Sequence, residues 1–484
     1  MATLPVTGVG DEDHPREGAP TPPTPVAPDT AGRTAVALGA LWTHTEPVDE
    51  HLVRRLRAKV ARQLADTQRE RERRGETRLP ELDEQALGAK LINEALEHHA
   101  HESISGGIAP LAAEEERTLQ QAVFNLLFGL GRLQDHLDRS DVVNIHAAGA
   151  EPVWLDLTDG RTIRGPSVAD NDEELIEFIR DLGRRVGLSE RLFDPAHPRI
   201  NLQLPDGSRL FAIGWVCQQT HLFLRLHRLL DVTLDQLVER AAFSPMIRAF
   251  LGAAVRARAN LLICGGMGDG KTTLLRALAA DIAPEERLVT VETDYELALD
   301  RFPERHHEVV ALESREANVE DVGRITCADL VRWAMRMNAR RVIVGEVLGD
   351  EVVPMLNAMN SGASGSMCTL HANSSAEVFN KLALLAAQSR ERLEFRHTYA
   401  LAADAVNFTI FVRRDRAGNR VVSSIREVTG ASDTAVVTNE LFASDPEGRA
   451  VPTGTVLSER TRHRLREHGF DASWLARHQR TGAP

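Results

Sequence analysis

The chain has 484 residues, enough for two or more hydrophobic cores at roughly 150 residues per domain. Its 43% hydrophobic and 26% charged content is that of a globular protein and excludes a collagen-like, coiled-coil or wholly disordered chain. Acidic residues outnumber basic ones, 70 to 57, and the formal charge of -13 argues against a broad nucleic-acid surface.

In chain order, residues 1–44 hold Pro20, Pro22, Pro23, Pro25 and Pro28 among Thr, Gly and Asp. That composition cannot bury enough apolar area to offset chain entropy, so a disordered Pro-rich tail is expected. Its acidic residues and prolines stand where a signal peptide would have a basic start and an apolar run, so export is not expected. No apolar stretch approaches the ~20 residues that span a bilayer. From Val48 onward, Leu52, Leu56, Val60 and Leu64 recur every fourth residue, with Arg54, Arg55, Arg57, Lys59 and Arg62 on the other faces. Helical periodicity returns over 87–100 and 114–128, so 45–128 reads as a helical region. His98, His99 and His101 lie in it without the cysteine pair or HExxH spacing of a zinc site. Cys217, Cys264, Cys327 and Cys368 are scattered, which suits a reducing compartment.

Residues 129–230 have a mixed texture. Strands are expected at 141–145, 152–157 and 222–226, a helix over 175–186, and a hairpin around Pro205-Asp206-Gly207, together an α+β domain. A linker helix over 231–258 leads to apolar runs at 261–264, 288–291, 342–344 and 367–370 that alternate with helical stretches. This is an α/β pattern with a parallel sheet, assigned to 259–430. Residues 431–484 are left as a C-terminal extension with a helix near 460–468.

Gly265-Gly266-Met267-Gly268-Asp269-Gly270-Lys271-Thr272 fits GxxxxGK[ST] and sits between a predicted strand and a predicted helix, the context this phosphate-binding loop requires. Only four of the 57 basic residues are lysines, so a lysine at this position is informative. Backbone N–H groups of Gly265, Gly266, Gly268 and Gly270 would surround the phosphates at a helix N-terminus. Lys271 would meet the β- and γ-phosphates and the Thr272 hydroxyl would ligate Mg²⁺; Thr273, next in the chain, is counted with the nucleotide-binding residues. Hydrolysis also needs polar groups at neighbouring strand ends. Glu292, followed by Asp294 and Glu296, closes one apolar strand; Glu346 closes a second and His371 a third.

The segments GGMGDGKTTLLRALA (265–279), ERLVTVETDYEL (286–297), ESREANVEDVG (313–323), RRVIVGEVLGDE (340–351) and SGASGSMCTLHANSS (361–375) resemble the type II/IV secretion ATPase superfamily. LPDGSRL (204–210) and LFLRLHR (222–228) upstream resemble the segments that precede its core, and within it the chain looks like the CpaF-like ATPases of Tad (Flp) pilus systems. The resemblance implies a RecA-like P-loop ATPase core preceded by a smaller α+β domain and an N-terminal helical region. It further implies a hexamer that uses ATP and Mg²⁺ at the cytoplasmic face of the membrane. There it would meet an inner-membrane platform protein, with membrane association through that partner and no direct nucleic acid. By position, Glu292 takes the catalytic carboxylate that orients water, Glu346 the Walker B glutamate near Mg²⁺, and His371 the His-box histidine. Arg209 and Arg225 match smaller-domain arginines directed at nucleotide; Arg315, Arg336 and Arg341 fall on further family arginine positions. Met267, Asp269, Thr293 and Leu348 depart from the family pattern, and no tetracysteine zinc module is present, which favours the Tad branch. A conjugation-type secretion ATPase and a nucleotide-gated scaffold with little turnover are the rival readings.

Overall fold

The computed structural model describes residues 49–186, 192–204, 206–226, 231–315, 317 and 322–477; the expected tail at 1–44 lies outside them. The chain divides into two compact units, Met1–Phe128 and Gly129–Pro484. In the first, three helices pack together: α1 (Glu50–Arg73), α2 (Glu81–Ser105) and α3 (Ala113–Phe128). The Asp49 carboxylate caps α1 by accepting the N–H groups of His51 and Leu52. Leu52, Leu56 and Val60 meet Ile92 and Leu96 of α2 and Leu119 and Val123 of α3, while Arg54, Arg55, Arg57, Lys59 and Arg62 stay exposed.

The second unit begins with a short helix, α4 (Gln134–Leu137), and an antiparallel sheet. Its strands are β1 (Val142–Ala148), β2 (Val153–Leu157), β3 (Thr162–Gly165), β4 (Arg199–Gln203), β5 (Arg209–Ile213) and β6 (His221–Arg225), in the order β3-β2-β1-β6-β5-β4. Period-two alternation turns Val153, Leu155, Leu222 and Leu224 inward, onto Leu175, Ile179 and Leu182 of α5 (Asp172–Val186). Trp154 and Phe223 are left exposed on the outer face.

The expected linker helix over 231–258 is two helices, α6 (Leu234–Glu239) and α7 (Pro245–Arg256). The chain reverses at Ala241, which takes a left-handed φ of 56°, and Ser244 then caps α7 with Pro245 in its first turn. Both helices join the core that follows.

That core is built on a nine-stranded sheet. Its elements are β7 (Leu261–Gly265), α8 (Lys271–Ala279), β8 (Leu288–Glu292), β9 (Val309–Glu313), α9 (Cys327–Ala334), β10 (Arg341–Val347), α10 (Val352–Asn360), β11 (Met367–His371), α11 (Val378–Gln388), α12 (Phe395–Ala405) and β12 (Phe408–Arg414). The strands β12-β7-β11-β10-β8-β9 are parallel. Leu261 and Ile263 pack with α7 and α8 on one face; Leu262 and Cys264 pack with α9 to α12 on the other. Burial on both faces is why these strands read as continuous apolar runs.

Residues 432–477 continue the same sheet and core. β13 (Arg420–Ala431), β14 (Val436–Ser444) and β15 (Ala450–Pro452) prolong the sheet antiparallel from β12, and α13 (Glu459–Glu467) and α14 (Ser473–Arg477) follow. Phe250 of α7 stacks edge-on against Phe442 and Phe470, at 5.6 and 5.3 Å between ring centroids. The architecture is a RecA-like α/β core with a smaller α+β domain before it and a helical N-terminal region.

Candidate nucleotide site

β7 delivers the glycine-rich loop. A Cβ on Gly265 would lie 2.3 Å from the Val412 carbonyl oxygen, so only glycine lets β12 run this close. Gly268 and Gly270 take φ of 74° and 95°, and Gly270 opens α8. The Gly266 N–H donates to Asp269 Oδ2 at 2.9 Å, which draws the loop together. Lys271, in the first turn of α8, is buried, and its Nζ donates to Gly266 O at 2.9 Å and to His371 Nδ1 at 3.1 Å. Burial lowers the amine's pKa, against the opposing pull of Glu346 and Asp269.

Three strand ends meet here. β10 slips register between Val344 and Val347, and Thr369 Oγ1 donates to the Gly345 carbonyl at 2.6 Å. Glu346, within that irregularity, has its Oε1 2.7 Å from His371 Nε2. An ammonium donating to Nδ1 leaves the Nε2 proton for Glu346, so Lys271, His371 and Glu346 form one chain across β11 and β10.

Glu292 ends β8 at only 3% exposure. Its Oε1 accepts the backbone N–H groups of Glu296 and Leu297 at 3.0 and 2.9 Å. Burial pushes its pKa up to about 8, with those two bonds opposing the rise. Glu292 therefore holds the turn, and Glu296 is what the turn presents. Glu296 Oε2 accepts from the Thr272 hydroxyl at 3.4 Å, its Oε1 from Arg209 at 2.6 Å, and its carbonyl from the Arg276 guanidinium. Burial lowers the pKa of Arg276.

Arg209, on β5 of the smaller domain, also bonds Asp294, so it is tied to two carboxylates of the core. Gln203 Nε2 adds a bond to the Tyr295 carbonyl at 2.8 Å. Arg225 pairs in register with Arg209, is exposed, and has no ion-pair partner among the described residues. Its charge lowers the pKa of Lys271, Arg276 and Arg420, which marks it as part of the same cationic field. The remaining arginines lie elsewhere. Arg315 Nε donates to the Gly323 carbonyl, and Arg336 is exposed beyond α9. Arg341, 1% exposed at the start of β10, forks onto Glu286 at 2.9 and 2.6 Å and donates to Val255 O.

A cavity of about 240 Å³ lies against Gly270, Thr273 and Leu274, lined also by Phe243, Val422 and Arg420. A second, of about 480 Å³, covers the outer sheet face between Trp154, Phe223, Arg209, Arg225 and Asp294. Among the described residues no three His, Cys, Asp or Glu side chains are gathered for a metal. The Thr272 hydroxyl and the Glu346 carboxylate are hard oxygen donors of the kind that complete Mg²⁺ coordination around a bound polyphosphate. In sequence Glu296 stands out only as one of the three acids Glu292, Asp294 and Glu296 at the end of β8. Arg420, which reaches the loop from β13, carries no sequence signal because its partner lies 152 positions away.

Residues 186–424 match the family described as Type II/IV secretion system protein. A Mycobacterium tuberculosis protein named for conjugal transfer is 36% identical over 308 residues, 62% of this chain and 84% of that protein. The type IV secretion system protein PtlH of Bordetella pertussis is 29% identical over 318 residues, 60% of this chain and 91% of that one. The type IV secretion system protein VirB11 of Brucella suis is 35% identical over 143 residues, 30% of this chain and 39% of its own length. With a P-loop, three polar strand ends and a smaller-domain arginine assembled around one site, the chain belongs to the type II/IV secretion system protein family.

Proposed function

We propose that the protein hydrolyses ATP with Mg²⁺ and works as a hexamer that powers Tad/Flp-type pilus assembly or related protein secretion, at the cytoplasmic face of the membrane and through an inner-membrane platform protein. The observation that carries the reading is the Lys271–His371–Glu346 chain beside Thr272 and Glu296, joined to the smaller domain by Arg209. The loop N–H groups bind phosphate, and Lys271 exchanges its carbonyl and imidazole partners for β- and γ-phosphate oxygens. His371 and Glu346 are thereby released from Lys271, so phosphate arrival is registered two strands away. Mg²⁺, held through Thr272 and Glu346, supplies charge neutralisation on those oxygens when bound. Glu296 orients the attacking water and takes its proton. Glu292 is held beneath the turn, where its Oε1 accepts the backbone N–H groups of Glu296 and Leu297. Arg209 and Arg225 meet the charge that shifts during transfer, which ties turnover to closure of the smaller domain.

No described helix is long and apolar enough to cross a membrane. The test is ATP turnover against protein concentration, with light scattering on the same samples. Specific activity should rise as rings form; assembled protein without turnover would support the scaffold reading. The relative named for conjugal transfer favours a second cargo reading, a conjugation-type motor. Copurification with a coupling protein in place of a pilin platform would select it.

A further inference from the structure

β12 and β13 form a hairpin whose tip is fixed by Asp415. Its Oδ1 accepts the N–H groups of Ala417 and Asn419 at 2.9 and 2.8 Å, and its Oδ2 accepts from Arg449 at 2.9 Å. Arg420 is the first residue of β13, so this tip sets where its side chain starts. The stem runs onto the phosphate loop: Cδ lies 3.1 Å from the position a Cβ on Gly270 would take, and Nε donates to the Gly268 carbonyl at 2.8 Å. The terminal nitrogens, Nη1 and Nη2, have no partner among the described residues. The side chain lines the 240 Å³ cavity together with Gly270, Thr273 and Arg414. Partial burial, then repulsion from Arg414 and Arg225, lowers the pKa of Arg420, and only Asp269 opposes this. An anion in the cavity would relieve that repulsion.

We propose that Arg420 is a phosphate-binding residue of the nucleotide site, with Nε holding the Gly268 carbonyl and the two terminal nitrogens taking polyphosphate oxygens. The inference rests on the nucleotide reading above and adds to it a cation supplied by the C-terminal strands. It makes the β12–β13 hairpin part of the site, so that loading of nucleotide is felt by the β13–β15 meander.

The test is equilibrium titration of wild-type protein and of the Arg420→Gln, Arg420→Ala and Arg420→Lys variants with fluorescent ADP, with circular dichroism to check folding. The glutamine amide nitrogen lies where Nε does, so Arg420→Gln keeps the Gly268 bond and removes the charged terminus. Both Arg420→Gln and Arg420→Ala should weaken ADP binding about tenfold or more, the order expected for loss of a charge-assisted bond, while Arg420→Lys stays closer to wild type. Wild-type affinity in Arg420→Gln with loss confined to Arg420→Ala would reduce Arg420 to a loop clamp and overturn the proposal. Unchanged affinity in all three variants would overturn it too. Wild-type protein that takes up no ADP would sink the nucleotide reading itself, and this proposal with it.

Discussion

Replacing Glu292 by Gln separates holding the turn from catalysis. In the folded protein burial raises the Glu292 pKa from 4.5 to about 8. Between those values the folded state keeps a proton that the unfolded chain has released, so stability falls as pH rises from about 4.5 to about 8. At pH 7 the span is about 2.5 pH units, or about 3 kcal/mol at about 1.4 kcal/mol per unit. Glutamine has no proton to lose, and its carbonyl can still accept from Glu296 and Leu297. Its amide brings two donors where the acid brings one, at a cost of about 1–2 kcal/mol if the second finds no partner. Glu292→Gln should therefore be more stable than wild type by about 1–2 kcal/mol at pH 7, and the advantage should vanish or reverse near pH 4.5. Denaturant unfolding of the ATPase core at pH 5, 6, 7 and 8 measures this, and steady-state ATP turnover of the variant should remain within a few-fold of wild type. A stability difference independent of pH, or a loss of turnover of a hundredfold or more, would refute the reasoning and restore Glu292 as the base.

Glu296→Gln should bind ADP normally and lose turnover by about a hundredfold or more, since the amide keeps the shape beside Thr272 and cannot take a proton; single-turnover hydrolysis checks this directly. Arg209→Ala should lower kcat more than ATP affinity, because the charge it meets grows toward the transition state, and steady-state kinetics with a separate binding titration divide the two effects. Arg341→Ala should destabilise the core by about 3 kcal/mol or more by leaving Glu286 with Arg258 alone, with ADP affinity unchanged in the protein that remains folded.

How much of this was legible in the sequence follows from how local each signal is. The P-loop lies within eight consecutive residues, and strands such as 261–264 and 342–344 are buried on both faces, so both announce themselves. β13 does not, because Ser424 and Glu427 are buried polar residues satisfied from afar: Ser424 bonds Ser375 and Glu440, and Glu427 accepts from Ser458. Those polar residues interrupt the continuous apolar run that burial of 421–425 on both faces would otherwise leave. The break between α6 and α7 falls at Ala241, a left-handed position held by a residue that gives no turn signal. The acids Glu292, Asp294 and Glu296 were found together, but spacing cannot tell which one is buried under the turn and which faces Thr272. That needs the two backbone bonds to Glu292 Oε1. Resemblance places Arg341 on a family arginine position without assigning it a task; its burial against Glu286 at the start of β10 makes it a strut.

The most direct test of the central claim is multiple-turnover release of phosphate from ATP by purified wild-type and Lys271→Ala protein, each with and without Mg²⁺. Wild-type protein should turn over only with Mg²⁺, and the folded Lys271→Ala variant should be inactive, since backbone N–H groups cannot replace the cation at the β- and γ-phosphates. Equal turnover by the two proteins, or none by wild type under conditions in which it binds ATP and assembles, would contradict the account.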